Sequence, residues 1–259
     1  MKIILTGSDG FIGKAFCQVM RNKGVEVTAI DRKNGHEADE VPGILRHTYY
    51  DAVIHLAAQT SVFNDDNYLI EKDNISTFMK IADACHRHGT KLVYASSSTA
   101  NPRNTTSMYG ISKHFDEQYA RVYCPSATGV RLHNVYGPNP RQGTLLYCLL
   151  NKAAVSLYNN GENMRCFTYI DDAIKGLIYA MTSDLQLVNV ANPQVIPVRT
   201  FAREVQKYHQ VDITLVPRRR ELDNPSQEVD ERIFRVPLHY TPVSRGVQLS
   251  VAGTKIRRL

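Results

Sequence analysis

Several things are missing from this 259-residue chain. No apolar run approaches the roughly 18 residues of a membrane span. The apolar stretch after Met1-Lys2 is three residues long, against about 7–15 for the core of a signal peptide. The five cysteines (Cys17, Cys85, Cys124, Cys148, Cys166) are scattered, odd in number and without metal-ligand spacing, so neither a disulfide framework nor a zinc site is expected. There are no internal repeats, no low-complexity tracts and no nucleic-acid-binding motif. These absences predict a cytoplasmic protein with reduced thiols, no bound metal, and no nucleic-acid or membrane partner.

Apolar residues make up 43% and charged residues 22%, an ordinary balance for a globular chain with a sizeable core. The formal charge of +6 is dispersed except for Arg218-Arg219-Arg220, and it suits a phosphorylated small molecule as well as a solvated surface.

Strand-like and helix-like segments alternate along the first half. Strands are expected in "KIILTG", "VEVTAID", "DAVIHLAA" (51–58), "KLVYASSS" (91–98) and within 127–137. Helices are expected over Phe11–Lys23, Asn74–His88 and Tyr109–Tyr123. Alternation with continuous Val/Ile/Leu strands predicts an α/β fold, a Rossmann-like doubly wound parallel sheet. After residue 138 prolines punctuate shorter elements. Helices are expected at Gln142–Ala154, Asp171–Thr182 and Val198–Tyr208, and strands near Leu187–Val190 and Asp212–Val216. The predicted division is a cofactor-binding domain over 1–138 and, over 139–259, mainly a small irregular C-terminal substrate lobe. The chain is expected to return to the sheet around 165–190.

Gly7, Gly10 and Gly13 in "TGSDGFIG" lie three apart where a strand meets a helix. Such spacing serves a tight turn or a cradle for a pyrophosphate, which approaches the backbone over the second glycine and meets the amides of the helix N-terminus. Asp31 ends the next strand, where a carboxylate binds both ribose hydroxyls and repels a 2′-phosphate. That favours the cradle, and NAD over NADP, with Arg32 able to soften the preference.

"YGISK" puts Tyr109 and Lys113 four apart on one helix face. The spacing is cheap, since "YLIEK" offers a second instance, Tyr68 and Lys72. Position separates them: Tyr109 follows a buried strand ending in Ser96-Ser97-Ser98, at the sheet edge where ligands bind. Tyr68–Lys72 reads as a surface pair. A tyrosine with pKa about 10 needs a shift of roughly 3 units, about 4 kcal/mol, to serve as a base near neutrality. One ammonium about 4 Å away contributes on that order. Lys113 is placed to supply it, and Ser98 to hydrogen-bond the same substrate hydroxyl.

These motifs, with "DAVIHLAAQTSV", "RLHNVYGP" and "MRCFTYIDDA" in order, resemble the extended short-chain dehydrogenase/reductases of the NAD-dependent nucleotide-sugar epimerase/dehydratase family. The resemblance implies NAD as cofactor, bound by Gly7, Gly10, Phe11, Ile12, Gly13, Asp31, Arg32, Leu56, Ala57, Ala58, Asn74, Tyr109 and Lys113. It implies Ser98, Tyr109 and Lys113 as the catalytic set, and a nucleotide-diphosphate sugar held by Asn134, Arg165 and, in "RELD", Arg220, with Arg219 as the alternative. A homodimer through helices near 74–88 and 109–123 is compatible with it.

Three departures stand out. Only twenty residues, 32–51, separate Asp31 from the next strand, too few for a strand with its own helix, which takes roughly 30. The family's third strand is therefore expected to be missing or vestigial, leaving "VEVTAID" at the sheet edge. Cys166 stands where the family commonly has Asp. The Thr99-Ala100-Asn101 run after Ser98 lacks the acidic pair usual in the family's dehydratases and resembles its 4-epimerases. The expected activity is thus an NAD-dependent nucleotide-sugar 4-epimerase. The alternatives are a reductase of a nucleotide-linked keto sugar and a non-catalytic dinucleotide sensor.

Other features have plainer readings. His86 and His88 suit a helix C-terminus. Asp65-Asp66 and Asp171-Asp172 read as a loop and a helix start, and Met108 and Tyr136 as packing or pocket walls.

Overall fold

The computed structural model describes residues 1–60, 66–218 and 223–254. In chain order the elements of the sheet half are β1 (Lys2–Thr6), α1 (Phe11–Asn22), β2 (Glu26–Ile30), α2 (Val41–His47), β3 (Ala52–His55), α3 (Asn67–Ile70), α4 (Thr77–His88), β4 (Lys91–Ser97), α5 (Met108–Tyr123) and β5 (Thr128–Leu132). The second half holds α6 (Leu145–Asn151), β6 (Ala154–Tyr158), β7 (Met164–Cys166), α7 (Ile170–Met181), β8 (Leu187–Val190), β9 (Val195–Pro197), α8 (Val198–Gln206), β10 (Asp212–Val216) and α9 (Val243–Gly253).

The central sheet is parallel throughout, in the order β2-β1-β3-β4-β5-β8. Alternate residues of each strand feed opposite faces. Ile3, Leu5, Ile54 and Val93 pack with Phe16 and Met20 of α1 and Ile174 and Leu177 of α7. Ile4, Val53, Leu92 and Tyr94 pack with Leu45 of α2, Phe78 and Ile81 of α4 and Ala120 of α5. Phe78 is fully buried, a contribution of about 1.5–3 kcal/mol from its side chain alone. This is the Rossmann-like doubly wound sheet that the alternating pattern predicts.

The missing strand is confirmed. Among the described residues no strand lies outside β2, and the short 32–51 segment holds only two single-turn 3₁₀ helices and the seven-residue α2. β8 joins the sheet next to β5, and two small sheets, β6 with β10 and β7 with β9, lie apart from it.

Two helices differ from expectation by more than a residue or two. The helix expected from Asn74 starts at Asn67, where the Asp66 carboxylate accepts from the Leu69 amide. It continues through a π-helical stretch, Glu71–Ser76, into α4. The helix expected over Gln142–Ala154 stops at Asn151, and Ala154 opens a strand whose inward Val155 and Leu157 alternate with outward residues.

Candidate active site

Because the strands are parallel, the segments leaving β1 to β5 all emerge at one sheet edge. The residues singled out just after β1 to β5 lie there. Gly7 follows β1 with φ 69°, and a Cβ on it would lie 2.7 Å from the Ala57 nitrogen. A Cβ on Gly13 would meet the Gly7 carbonyl oxygen at 2.0 Å, so the turn is too tight for any side chain at either place. Gly10 is the N-cap of α1 and supplies no side-chain cap, which leaves first-turn amides, including those of Phe11 and Ile12, free for an anion. Asp31 directly follows β2. Its carboxylate accepts from the Asp9 and Lys33 amides, at 3.0 Å each, and retains lone pairs for further donors. This chain's own groups therefore fit a dinucleotide: a side-chain-free turn under a bare helix N-terminus, with a fixed carboxylate one strand away.

Arg32 does not face outward as a free cation. Its Nη1 and Nη2 donate to the two oxygens of Asp73, at 2.8 and 2.7 Å, and its Nε to Glu37. Leu56, Ala57 and Ala58 run on from β3, the Leu56 amide bonded to the Thr6 carbonyl. Asn74, buried, grips the Gln59 backbone from both sides and donates to Ser112 Oγ on α5. It thereby fixes the strand-end loop against the helix that carries Tyr109.

Ser98 directly follows β4 and opens a single 3₁₀ turn, and Ser107 N-caps α5, placing Tyr109 in its first turn and Lys113 one turn further on. Lys113 is fully buried and bonded to Asp116. Burial pulls its pKa down, but the neighbouring Asp116 and Tyr109 outweigh that, and the ammonium is held above its ordinary value. Tyr68 is 71% exposed and Lys72 is exposed as well, as a surface pair should be.

Asn134 follows β5 and Arg165 lies on β7. The segment 223–230 crosses over them. Asp223 accepts from Arg165 Nη2 at 2.5 Å, and Gln227 Oε1 accepts from Asn134 Nδ2 at 2.9 Å and from the Ser98 hydroxyl at 3.5 Å. The buried Asn104 side chain clips this segment down, bonding the Glu228 amide, the Glu228 carbonyl and the Ser98 carbonyl. Arg220 and its alternative Arg219 lie outside the described residues. Cys166, in the family's aspartate position, is wholly buried and donates to the Asn192 carbonyl. Burial pushes its thiol to about 12, which makes it packing rather than a nucleophile.

Sequence reasoning missed Asp73, Asn104, Asp116, Asp223 and Gln227. Asp116 was within reach, since it stands three residues after Lys113 and therefore on the same helix face. Asp223 closes "RELD", and the others come from distant segments and carry no local signal.

The profile of the NAD dependent epimerase/dehydratase family matches residues 3–191. The chain is 29% identical over 230 residues to Protein CapI of Staphylococcus aureus, covering 68% of each. It is 23% identical to UDP-glucuronate 4-epimerase 4 of Arabidopsis thaliana, over 93% of this chain and 72% of that one. Its fold is similar to that of the UDP-glucose 4-epimerase of Thermus thermophilus, solved as a complex with NAD, with a TM-score of 0.80, 23% identity and 98% coverage of both chains. With the family profile spanning most of its length, this chain belongs to the NAD dependent epimerase/dehydratase family of enzymes.

Proposed function

We propose that this protein is an NAD-dependent nucleotide-sugar 4-epimerase. The observation that carries the reading is the chain from Ser98 to Tyr109. It joins a serine at the sheet's carboxyl edge to a tyrosine one helical turn before a buried lysine, and no residue from 99 to 108 is acidic. A dehydratase must remove and return a proton at the neighbouring carbon, and this loop offers no carboxylate to do so.

Bound NAD would supply reversible hydride acceptance at sugar C4. The rest falls to the protein. Tyr109 takes the C4 hydroxyl proton and later gives it back, Lys113 favours the phenolate by its charge, and Ser98 hydrogen-bonds the same hydroxyl. Gly7, Gly10, Phe11, Ile12 and Gly13 hold the pyrophosphate, Asp31 the ribose, and Leu56, Ala57, Ala58 and Asn74 line the cofactor. Asn134 and Arg165 hold the sugar's diphosphate, with Arg220 as a further ligand. In this reading residues 1–138 bind the cofactor and 139–259 mainly the substrate.

A second copy of the chain is the proposed protein partner. Ile111, Val122 and Tyr123 on α5 and Tyr68 and Leu69 at α3 leave apolar surface in water on the helices expected to pair. No helix among the described residues is long and apolar enough to cross a membrane, and the cysteines are free. We place the enzyme in the cytoplasm, in carbohydrate metabolism.

The test is to incubate the protein and NAD with UDP-glucose, UDP-galactose, their N-acetyl forms, UDP-glucuronate and GDP-mannose, and to follow the anomeric protons by NMR. A new epimer without NADH accumulation is expected, falling roughly 10²–10⁴-fold in Tyr109→Phe. Wild-type turnover by that variant would sink the assignment. Stoichiometric consumption of NAD(P)H on a keto sugar would transfer it to the reductase reading. A non-catalytic sensor has no use for an intact serine, tyrosine and lysine set.

A further inference from the structure

Asp116 Oδ2 accepts from Lys113 Nζ at 3.0 Å, with the two side chains 0% and 3% exposed. The other carboxylate oxygen, Oδ1, is buried and has no hydrogen-bond partner among the described residues. Taking two charges out of water is repaid only when their remaining lone pairs and protons are satisfied, so this pair is a poor device for stability. An asparagine oxygen would accept the same bond from Lys113 without carrying a charge. The buried Lys113 ammonium is the first to need the charge, since burial alone would pull its pKa down, and that charge is felt beyond the pair.

The surroundings leave that charge directed at Lys113. From β3, His55 faces the ammonium. Burial, and then the Lys113 charge, lower its pKa to about 3, so the ring is neutral and its Nε2 is unpartnered. From β4, Tyr94 is held protonated by burial and by the nearby carboxylates. On α5 itself Glu117 is already taken: it accepts from Ser96 and makes a bidentate pair with Arg131 of β5, which also lies 3.9 Å from Asp230. From the α3–α4 side, Asp73 is held by Arg32 and Gln59, and Asp83 by the Tyr119 hydroxyl. Burial raises the Asp116 carboxyl to about 7, with Lys113 opposing the rise. Above that pH Tyr109 sees a partly cancelled dipole in place of a lone cation.

We propose that Asp116 is a positioning residue for the reaction: it anchors the Lys113 ammonium and opposes its field at Tyr109, and so sets the pH at which the tyrosine gives up its proton. The inference rests on Tyr109 being the base. Asp116 is seven residues further along the same helix, about 10 Å away at 1.5 Å per residue. A unit charge at that distance, in an effective dielectric of about 20, moves a pKa by about one unit.

The test is a pH titration of the NAD-loaded protein by phenolate absorbance, with Tyr109 assigned by subtracting Tyr109→Phe. Asp116→Asn should lower the Tyr109 midpoint by about one unit, Asp116→Glu should leave it near wild type, and Lys113→Met should raise it. Asp116→Ala is a second neutral variant, so whichever of the two keeps the wild-type melting temperature gives the reading. An unchanged or raised midpoint in the neutral variant, or a shift as large in Asp116→Glu, would overturn the proposal. The titration needs no sugar. Failure of every sugar to turn over would count against the epimerase reading alone, and an unmoved midpoint against Asp116 alone.

Discussion

Arg32 and Asp73 meet side-on, two guanidinium nitrogens against two carboxylate oxygens at 2.8 and 2.7 Å, and tie the shortened loop after β2 to the helix before α4. The arginine beside the expected ribose ligand is thus already spent on a protein carboxylate. Selectivity for NAD should depend on Asp73 as much as on Asp31. Asp73→Ala releases Arg32 toward a 2′-phosphate. Fluorescence titration with both cofactors should show the preference for NAD over NADP narrowing by about 3–10-fold, an electrostatic change of the size expected for one partly exposed charge.

Asp223 stands on Arg165 as an internal anion. If Arg165 receives the diphosphate, that carboxylate must yield or share the guanidinium. Asp223→Asn removes the competing charge, and calorimetry with UDP should show binding tightened by about 3–10-fold. Weaker binding would instead make Asp223 a ligand of the nucleotide.

Gln227 is the residue of the crossing segment that touches Ser98. With Ser98 as the proposed partner of the C4 hydroxyl, that place suits Gln227 to read substituents on the carbons next to C4. In Gln227→Ala, with Tyr109→Phe to prevent turnover, UDP should bind as before. The additional affinity of a UDP-sugar over UDP should drop by about 5–20-fold, the worth of one or two hydrogen bonds. Equal losses for UDP and UDP-sugar would refute the role.

Stability should fall on the acid side. Burial, with smaller opposing help from Asn189, lowers the pKa of His133 to about 4, and His55 is lowered to about 3. Both take up protons only on unfolding between their folded values and about 6.5, so the stability they confer is complete above 6.5 and is lost as pH falls toward 4. Asp116 has the opposite sign: its raised folded value lets the native state bind a proton below about 7 that the unfolded chain refuses until about 3.9. The net is one extra proton on the unfolded side. Urea unfolding should lose about 1.4 kcal/mol per pH unit from 6 to 4, and His133→Gln should flatten the slope.

Most of the sheet was legible because its strands are buried on both faces and its helices carry one apolar stripe. The lost strand was legible for a different reason, a plain shortage of residues between Asp31 and Asp51. The small strands were harder. β7 is three residues long and pairs with β9 about thirty residues later, so no period betrays it. Ala154 was drawn into the preceding helix because Leu145–Asn151 is apolar enough to extend a helical pattern past its end. The start at Asn67 was signalled by Asp66 as a cap but was masked by the polar run around it. In the candidate site, the residues at strand ends and in the YGISK stretch of α5 are the ones that local motifs point to. No local motif points to Gln227, which reaches Ser98 across 129 positions of sequence.

The missing strand has one more consequence. Among the described residues β2 is laddered on one side only, to β1, so the backbone that presents Asp31 belongs to an edge strand, and edges fray more readily than central strands. With Asp31 as the ribose ligand, the cofactor becomes a fastener for that border. Its arrival should slow amide hydrogen exchange along Glu26–Ile30 more than in the central strands, and its departure should be gated by how often the border opens.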